Sequence, residues 1–134
     1  MQKDILVVED SEERLKKITS FLIGYTYDIA PKANIAIDLL KTNTYDYVFL
    51  DHDLEEEHYE TQCFGKGTGY EVAQFIVENK ESIKRVILHS LNPVGRDRML
   101  VLLKNAEYDV KSAPMFWDWR YGSLESILRV WNDR

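Results

Sequence analysis

Tyr45-Asp46-Tyr47-Val48-Phe49-Leu50-Asp51-His52-Asp53 decides the fold. Its aromatic and β-branched residues up to Leu50 make the strongest strand signal in the chain, and the run breaks at once into a charged cluster. Ile5-Leu6-Val7-Val8 followed by Glu9-Asp10-Ser11 repeats that plan near the N-terminus. Strands that are apolar at consecutive positions are buried on both faces, as in the middle of a parallel sheet. Two such strands, each ending in carboxylates, would bring those carboxylates to one edge.

The rest of the chain alternates around them. From Ser11, the residues Leu15, Ile18 and Leu22 share one helical face opposite Glu12, Glu13, Lys16 and Lys17, which predicts an amphipathic helix stopping near Gly24. Residues 27–30 read as a short strand, and Ala33, Ala36, Ile37 and Leu40 as the inner face of a helix that ends at Thr42-Asn43-Thr44. Residues 54–68 are polar, carry Gly65 and Gly67 and hold no period, so a long inserted loop is expected at about 55–68. Helical spacing returns over 69–79 through Val72, Ala73, Ile76 and Val77. Val86-Ile87-Leu88 is a fourth buried strand ending in His89-Ser90, and a helix after Pro93 turns Met99, Leu102, Leu103 and Ala106 inward. Residues 108–111 give a fifth strand, and Leu124, Ile127, Leu128 and Trp131 a last helix behind Gly122-Ser123. The expectation is an α/β fold over residues 1–134, a single domain whose doubly wound, five-stranded parallel sheet carries helices on both faces. Ligands of such sheets bind outside the carboxyl ends of the strands, where strand order reverses. Glu9, Asp10, Asp51, Asp53, His89 and Ser90 should lie at that edge.

Composition narrows the function. The 134 residues are 45% hydrophobic and 30% charged, a globular balance without an apolar run of membrane-spanning length. The N-terminus turns acidic directly after its apolar run, so no secretory signal is expected and a cytoplasmic location is. Cys63 is the single cysteine, which leaves no internal disulfide and a poor zinc site. A net charge of −6 opposes broad binding to duplex DNA or other polyanions. It does not oppose a small phosphate ligand held through a cation.

Carboxylates gathered at one edge repel each other by several kcal/mol at an intermediate dielectric, roughly 4 kcal/mol at close range, so a positive partner is expected among them. Oxygen ligands without cysteine favour a hard cation, Mg²⁺ first and Mn²⁺ next.

These residues also resemble the response-regulator receiver domain over nearly the whole chain. Glu9-Asp10 is similar to the acidic pair after the receiver's first strand, Asp51 to its phosphoacceptor, Lys111 to its invariant lysine, and Gly69 to the glycine that opens its third helix. The resemblance implies a receiver-like, flavodoxin-like fold. It implies a metal held by Asp10 and Asp51 with Glu9 beside them and the Asp53 carbonyl as a further ligand, and Ser90 as the hydroxyl that contacts a phosphoryl group. The sequence departs from ordinary receivers in its long loop with His58 and Cys63, and in placing Ser112-Ala113-Pro114 after Lys111 where receivers have proline directly. Asp51-His52-Asp53 and His89-Ser90-Leu91-Asn92-Pro93 with Gly95 and Arg96 resemble instead the variant called the cyclic-phosphate processing receiver domain. That variant implies action on a cyclic nucleotide or a cyclic phosphate end of RNA.

The chemistry can be written out. A cation at Asp10 and Asp51 would polarise a phosphoryl oxygen. His89 or His52 would move the proton, since imidazole titrates near neutrality. Lys111 and Arg96 would offset charge developing on the phosphate, and Asn92 would position the substrate. Plainer readings stand beside these. Asp10 with Glu13 resembles a capping box, Asp51 and Asp53 are common turn residues, and a histidine after a buried strand is often a satisfied core residue. His89 could occupy the receiver's hydroxyl position in place of Ser90. The aromatic run 115–121 could stack a base, pack on the sheet edge or meet a partner. The rival functions are a signalling module phosphorylated on Asp51 by a partner kinase, and a degenerate receiver that only binds another protein.

Overall fold

The computed structural model describes residues 2–53 and 68–113. The expected long loop with His58 and Cys63, the aromatic run 115–121 and the expected last helix lie outside the described residues. Five strands, β1 (Gln2–Val8), β2 (Tyr27–Ala30), β3 (Thr44–Leu50), β4 (Arg85–Leu88) and β5 (Val110–Ser112), alternate with α1 (Glu12–Ser20), α2 (Ala33–Thr42), α3 (Gly69–Glu78) and α4 (Pro93–Asn105). The sheet runs β2-β1-β3-β4-β5 and every neighbouring pair is parallel.

The period of two along each strand sorts side chains into two cores. Ile5, Val7, Phe49 and Ile87 point to one face and meet Ile18, Phe21 and Leu22 of α1 and the turn after it. Leu6, Val8, Val48, Leu50, Val86 and Leu88 point to the other and meet α2, α3 and α4 through Ala36, Leu40, Val72, Ile76, Met99 and Leu103. Helices therefore cover both faces, and Ile5-Leu6-Val7-Val8 is completely buried because the strand is packed from both sides. Each such side chain contributes about 1.5–3 kcal/mol of burial.

Two details differ from the sequence-based expectation. β5 begins at Val110, later than position 108, because the Tyr108 backbone N–H still closes the turn after α4 on the Leu103 carbonyl (3.0 Å), while its hydroxyl donates to the carbonyls of Ile76 (3.2 Å) and Glu81 (2.6 Å). The cap of α1 is Ser11, whose Oγ accepts from the Arg14 N–H at 3.3 Å, in place of the Asp10-Glu13 capping box.

A candidate acidic site at the ends of β1, β3 and β4

Strand order reverses at β1, which has β2 on one side and β3 on the other, so the crevice lies beyond the carboxyl ends of β1 and β3. Val7, Phe49 and Ile87 stand side by side in register. The ladder continues past the strands, with Asp51 N–H donating to Val8 O (3.1 Å) and His89 N–H to Leu50 O (3.2 Å). Two residues beyond that apolar row, on the same face, come Glu9, Asp51 and His89. The site is thus the polar continuation of an apolar row, and all three side chains are buried.

Glu9 is the most heavily bonded of the three. Oε1 accepts from Arg14 Nε at 3.0 Å and faces His89 Nε2 at 2.8 Å, while Oε2 accepts from the backbone N–H of Asp10 (3.1 Å) and Ser11 (2.9 Å). Burial alone would raise its pKa, but the hydrogen bonds from His89, Arg14 and Ser11 outweigh burial and bring it down to about 2. An ionised carboxylate only accepts, so Nε2 of His89 carries the proton in this contact. Nδ1 of His89 is buried and has no hydrogen-bond partner among the described residues.

Asp51 is the opposite case. Its Oδ2 is buried with no hydrogen-bond partner among the described residues and lies 3.6 Å from the Arg14 guanidinium. Burial, reinforced by the nearby charge of Glu9, raises its pKa to about 6, against the pull of His89, Arg14 and a hydrogen bond from Ser90. Glu9, Asp51 and His89 each offer a ligand atom within 4.8 Å of the others. An orphaned carboxylate oxygen beside another carboxylate and an imidazole is a donor set that fits a hard or borderline divalent cation.

The neighbouring residues form a latch. Asn92 caps α4, its Oδ1 accepting from Gly95 N–H at 3.1 Å, while its Nδ2 donates to both Asp53 carboxylate oxygens at 3.0 and 3.3 Å. Asp53 Oδ1 also lies 2.8 Å from Nδ1 of the buried His52. The His52 ring sits against Gly95, where any Cβ would collide with it. Arg96 donates to the Ser90 carbonyl at 2.6 Å, and the Ser90 hydroxyl accepts from Asn92 N–H at 3.1 Å. Gly69, at the start of α3, is pressed so close to the Asp51 backbone that a Cβ there would overlap the Asp51 carbonyl oxygen.

Of the residues named from the sequence, Glu9, Asp51, His89 and Ser90 come together in one cluster, and His52, Asp53, Asn92 and Arg96 in a second beside it. Both alternatives for the hydroxyl position meet the acids, His89 through Glu9 and Ser90 through Asp51. Asp10 is half-buried at the start of the turn into α1, outside the close trio. Lys111 is in register with Ile87, which puts it on the face of the acids but one step short of them on the last strand. Arg14 was missed. Its signal was present, since it precedes Ile18 by four and so falls on the inward stripe of α1.

A five-stranded parallel sheet in the order β2-β1-β3-β4-β5 with acids at the reversal point is the fold of CheY-like receiver structures. Three solved structures are similar over most of the chain. They are the response regulator TrrA of Thermotoga maritima in complex with Mg(2+)-BeF (23% identity, 96% of this chain, 98% of that one, TM-score 0.66), a putative Luxo repressor receiver domain of Vibrio parahaemolyticus (19%, 100%, 92%, 0.64) and a CheY-like receiver of Methanospirillum hungatei (18%, 99%, 96%, 0.63). No curated protein matches the chain. The chain belongs to the cyclic-phosphate processing receiver domain family, whose model matches residues 5–105. Among the described residues, no helix is long and apolar enough to cross a membrane.

Proposed function

We propose that this receiver domain binds a divalent cation, Mg²⁺ or Mn²⁺, at the crevice and processes a cyclic phosphate, on a nucleotide or an RNA end. The observation that carries this reading is the buried His89–Glu9 pair standing beside an oxygen of Asp51 that accepts no hydrogen bond from the described residues. Asp51 would hold the cation with Asp10 and the Asp53 carbonyl, while Glu9, whose oxygens already accept four hydrogen bonds, would add negative charge beside it. The cation supplies the Lewis acidity on which metal-assisted phosphodiester cleavage draws. Glu9 orients His89 through Nε2, which leaves Nδ1 as the atom able to take or return a proton. Ser90 would contact a phosphoryl oxygen, and Lys111 would offset the growing negative charge. His52, Asn92 and Arg96 are engaged in the latch, which suits them to positioning the β3 and β4 ends rather than to direct chemistry.

Incubation with Mn²⁺ and a panel of 3′,5′- and 2′,3′-cyclic mononucleotides, together with RNA ending in a 2′,3′-cyclic phosphate, tests the reading by chromatography. Appearance of a linear phosphate supports it, and intact rings across the whole panel with metal bound end it.

A second reading has its own observation, since an Asp51 Oδ2 that accepts no hydrogen bond from the described residues is also what a phosphoacceptor needs. A partner kinase would then be the source of the phosphoryl group, and output would pass through protein contacts. A lasting acyl phosphate on Asp51 after treatment with acetyl phosphate and Mg²⁺, without ring opening, would select it.

A further inference from the structure

Arg14 stands where an added cation would stand. Its Nε donates to Glu9 Oε1 at 3.0 Å and its terminal nitrogen lies 3.6 Å from Asp51 Oδ2, so a single guanidinium bridges the two acids of the crevice. The bridge is built into the chain. Ser11 caps α1 through the Arg14 N–H, which sets the first turn, and the following turn carries Ile18 into the core, so the side chain at position 14 is directed over the end of β1. The two contacts are unequal. The one to Glu9 is a hydrogen bond, whereas the one to Asp51 is a longer ion pair that leaves Oδ2 without any hydrogen bond. About a third of the Arg14 side chain remains exposed, so it has room to move outward.

We infer that Arg14 is a resident counter-cation that offsets part of the charge of Glu9 and Asp51 in the metal-free protein, and that a divalent ion must displace it from Asp51 to bind. Two positive groups cannot share one carboxylate oxygen at contact distance without strong repulsion. The contact with Glu9 can persist while that with Asp51 breaks, so Arg14 acts as a threshold on metal occupancy. The inference rests on the metal-binding part of the proposed function.

Mn²⁺ alone is titrated calorimetrically into the unaltered protein, Arg14→Gln and Arg14→Lys. Arg14→Gln should bind roughly tenfold more tightly than the unaltered protein, a difference of about 1.4 kcal/mol. Arg14→Lys, which keeps the charge without the fork that reaches both acids, should fall between them and serves alone if the Gln variant does not fold. Equal or weaker binding by the variants overturns the inference while leaving the metal site intact. No Mn²⁺ binding by any of the three overturns both it and the proposed function. A crystal structure with Mn²⁺ gives a second reading: Arg14 should have left ion-pair distance of Asp51, and an ion beside an unmoved Arg14 would refute the displacement.

Discussion

His89 Nε2 lies 2.8 Å from Glu9 Oε1, eighty residues apart in sequence and both fully buried. The pair joins the end of β1 to the end of β4 across β3, so it ties the three strands that build the site. Removing one member of a buried, hydrogen-bonded charged contact leaves the other without its partner. His89→Ala should lower stability by about 2–4 kcal/mol in urea denaturation and abolish ring opening. Wild-type turnover in a folded variant would remove His89 from the proton path.

Glu9→Gln tests the same contact from the other side through pH. Its pKa of about 2 lies below the ordinary value of 4.5, so the stability it contributes is present above about pH 4.5 and is lost as pH falls towards 2. The variant should be less stable at pH 7 by about 2–4 kcal/mol, and the gap should narrow steadily below pH 4.5. A gap independent of pH would show that packing, not ionisation, is what the substitution removes.

Asp51 carries the opposite sign. Its carboxyl titrates near 6 in the folded protein against 3.8 ordinarily, so the native state holds that proton more tightly and stability falls as pH rises through roughly 4 to 6. Asp51→Asn in the presence of a chelator should therefore melt higher than the unaltered protein at pH 7, by roughly 1–3 kcal/mol, and equal it near pH 4. Adding Mn²⁺ should stabilise the unaltered protein and leave the variant nearly unmoved. A destabilised Asn variant at pH 7 would contradict this account of the site.

The latch gives a packing prediction. A methyl at Gly95 would meet the His52 ring, so Gly95→Ala should cost about 1–3 kcal/mol. In a His52→Ala background the ring is gone and the same change should cost little, giving a coupling of at least roughly 1 kcal/mol in a double-mutant cycle. Additive costs would mean that the two residues do not constrain one another.

Much of this was legible beforehand because it is periodic. The consecutive apolar residues at 5–8, 48–50 and 86–88 announce strands packed from both sides, and the helical stripes through Ile18, Ala36, Ile76 and Met99 announce the layers that cover them. The acids at positions 9 and 51 follow apolar runs directly, so their shared edge follows from parallel pairing alone. Arg14 was less visible because a cation among Glu12, Glu13, Lys16 and Lys17 looks like one more solvated charge. The true start of β5 was hidden as well, since the turn that the Tyr108 N–H closes on Leu103 after α4 leaves no mark in the apolar pattern.

The amino-acid order determined an α/β sheet with carboxylates at one edge, since burial on both faces and the period of each segment are properties of neighbours along the chain. Which acid is saturated and which keeps an oxygen without a hydrogen bond was decided only by the tertiary structure. Glu9 and Asp51 have nearly the same chemistry and the same kind of strand behind them. Only the folded arrangement gives His89, Arg14 and two backbone N–H groups to one and leaves an oxygen of the other unbonded. Hydrogen bonds and ion pairs act over a few ångströms in space, whatever the distance in sequence, and that is where the character of this pocket is set.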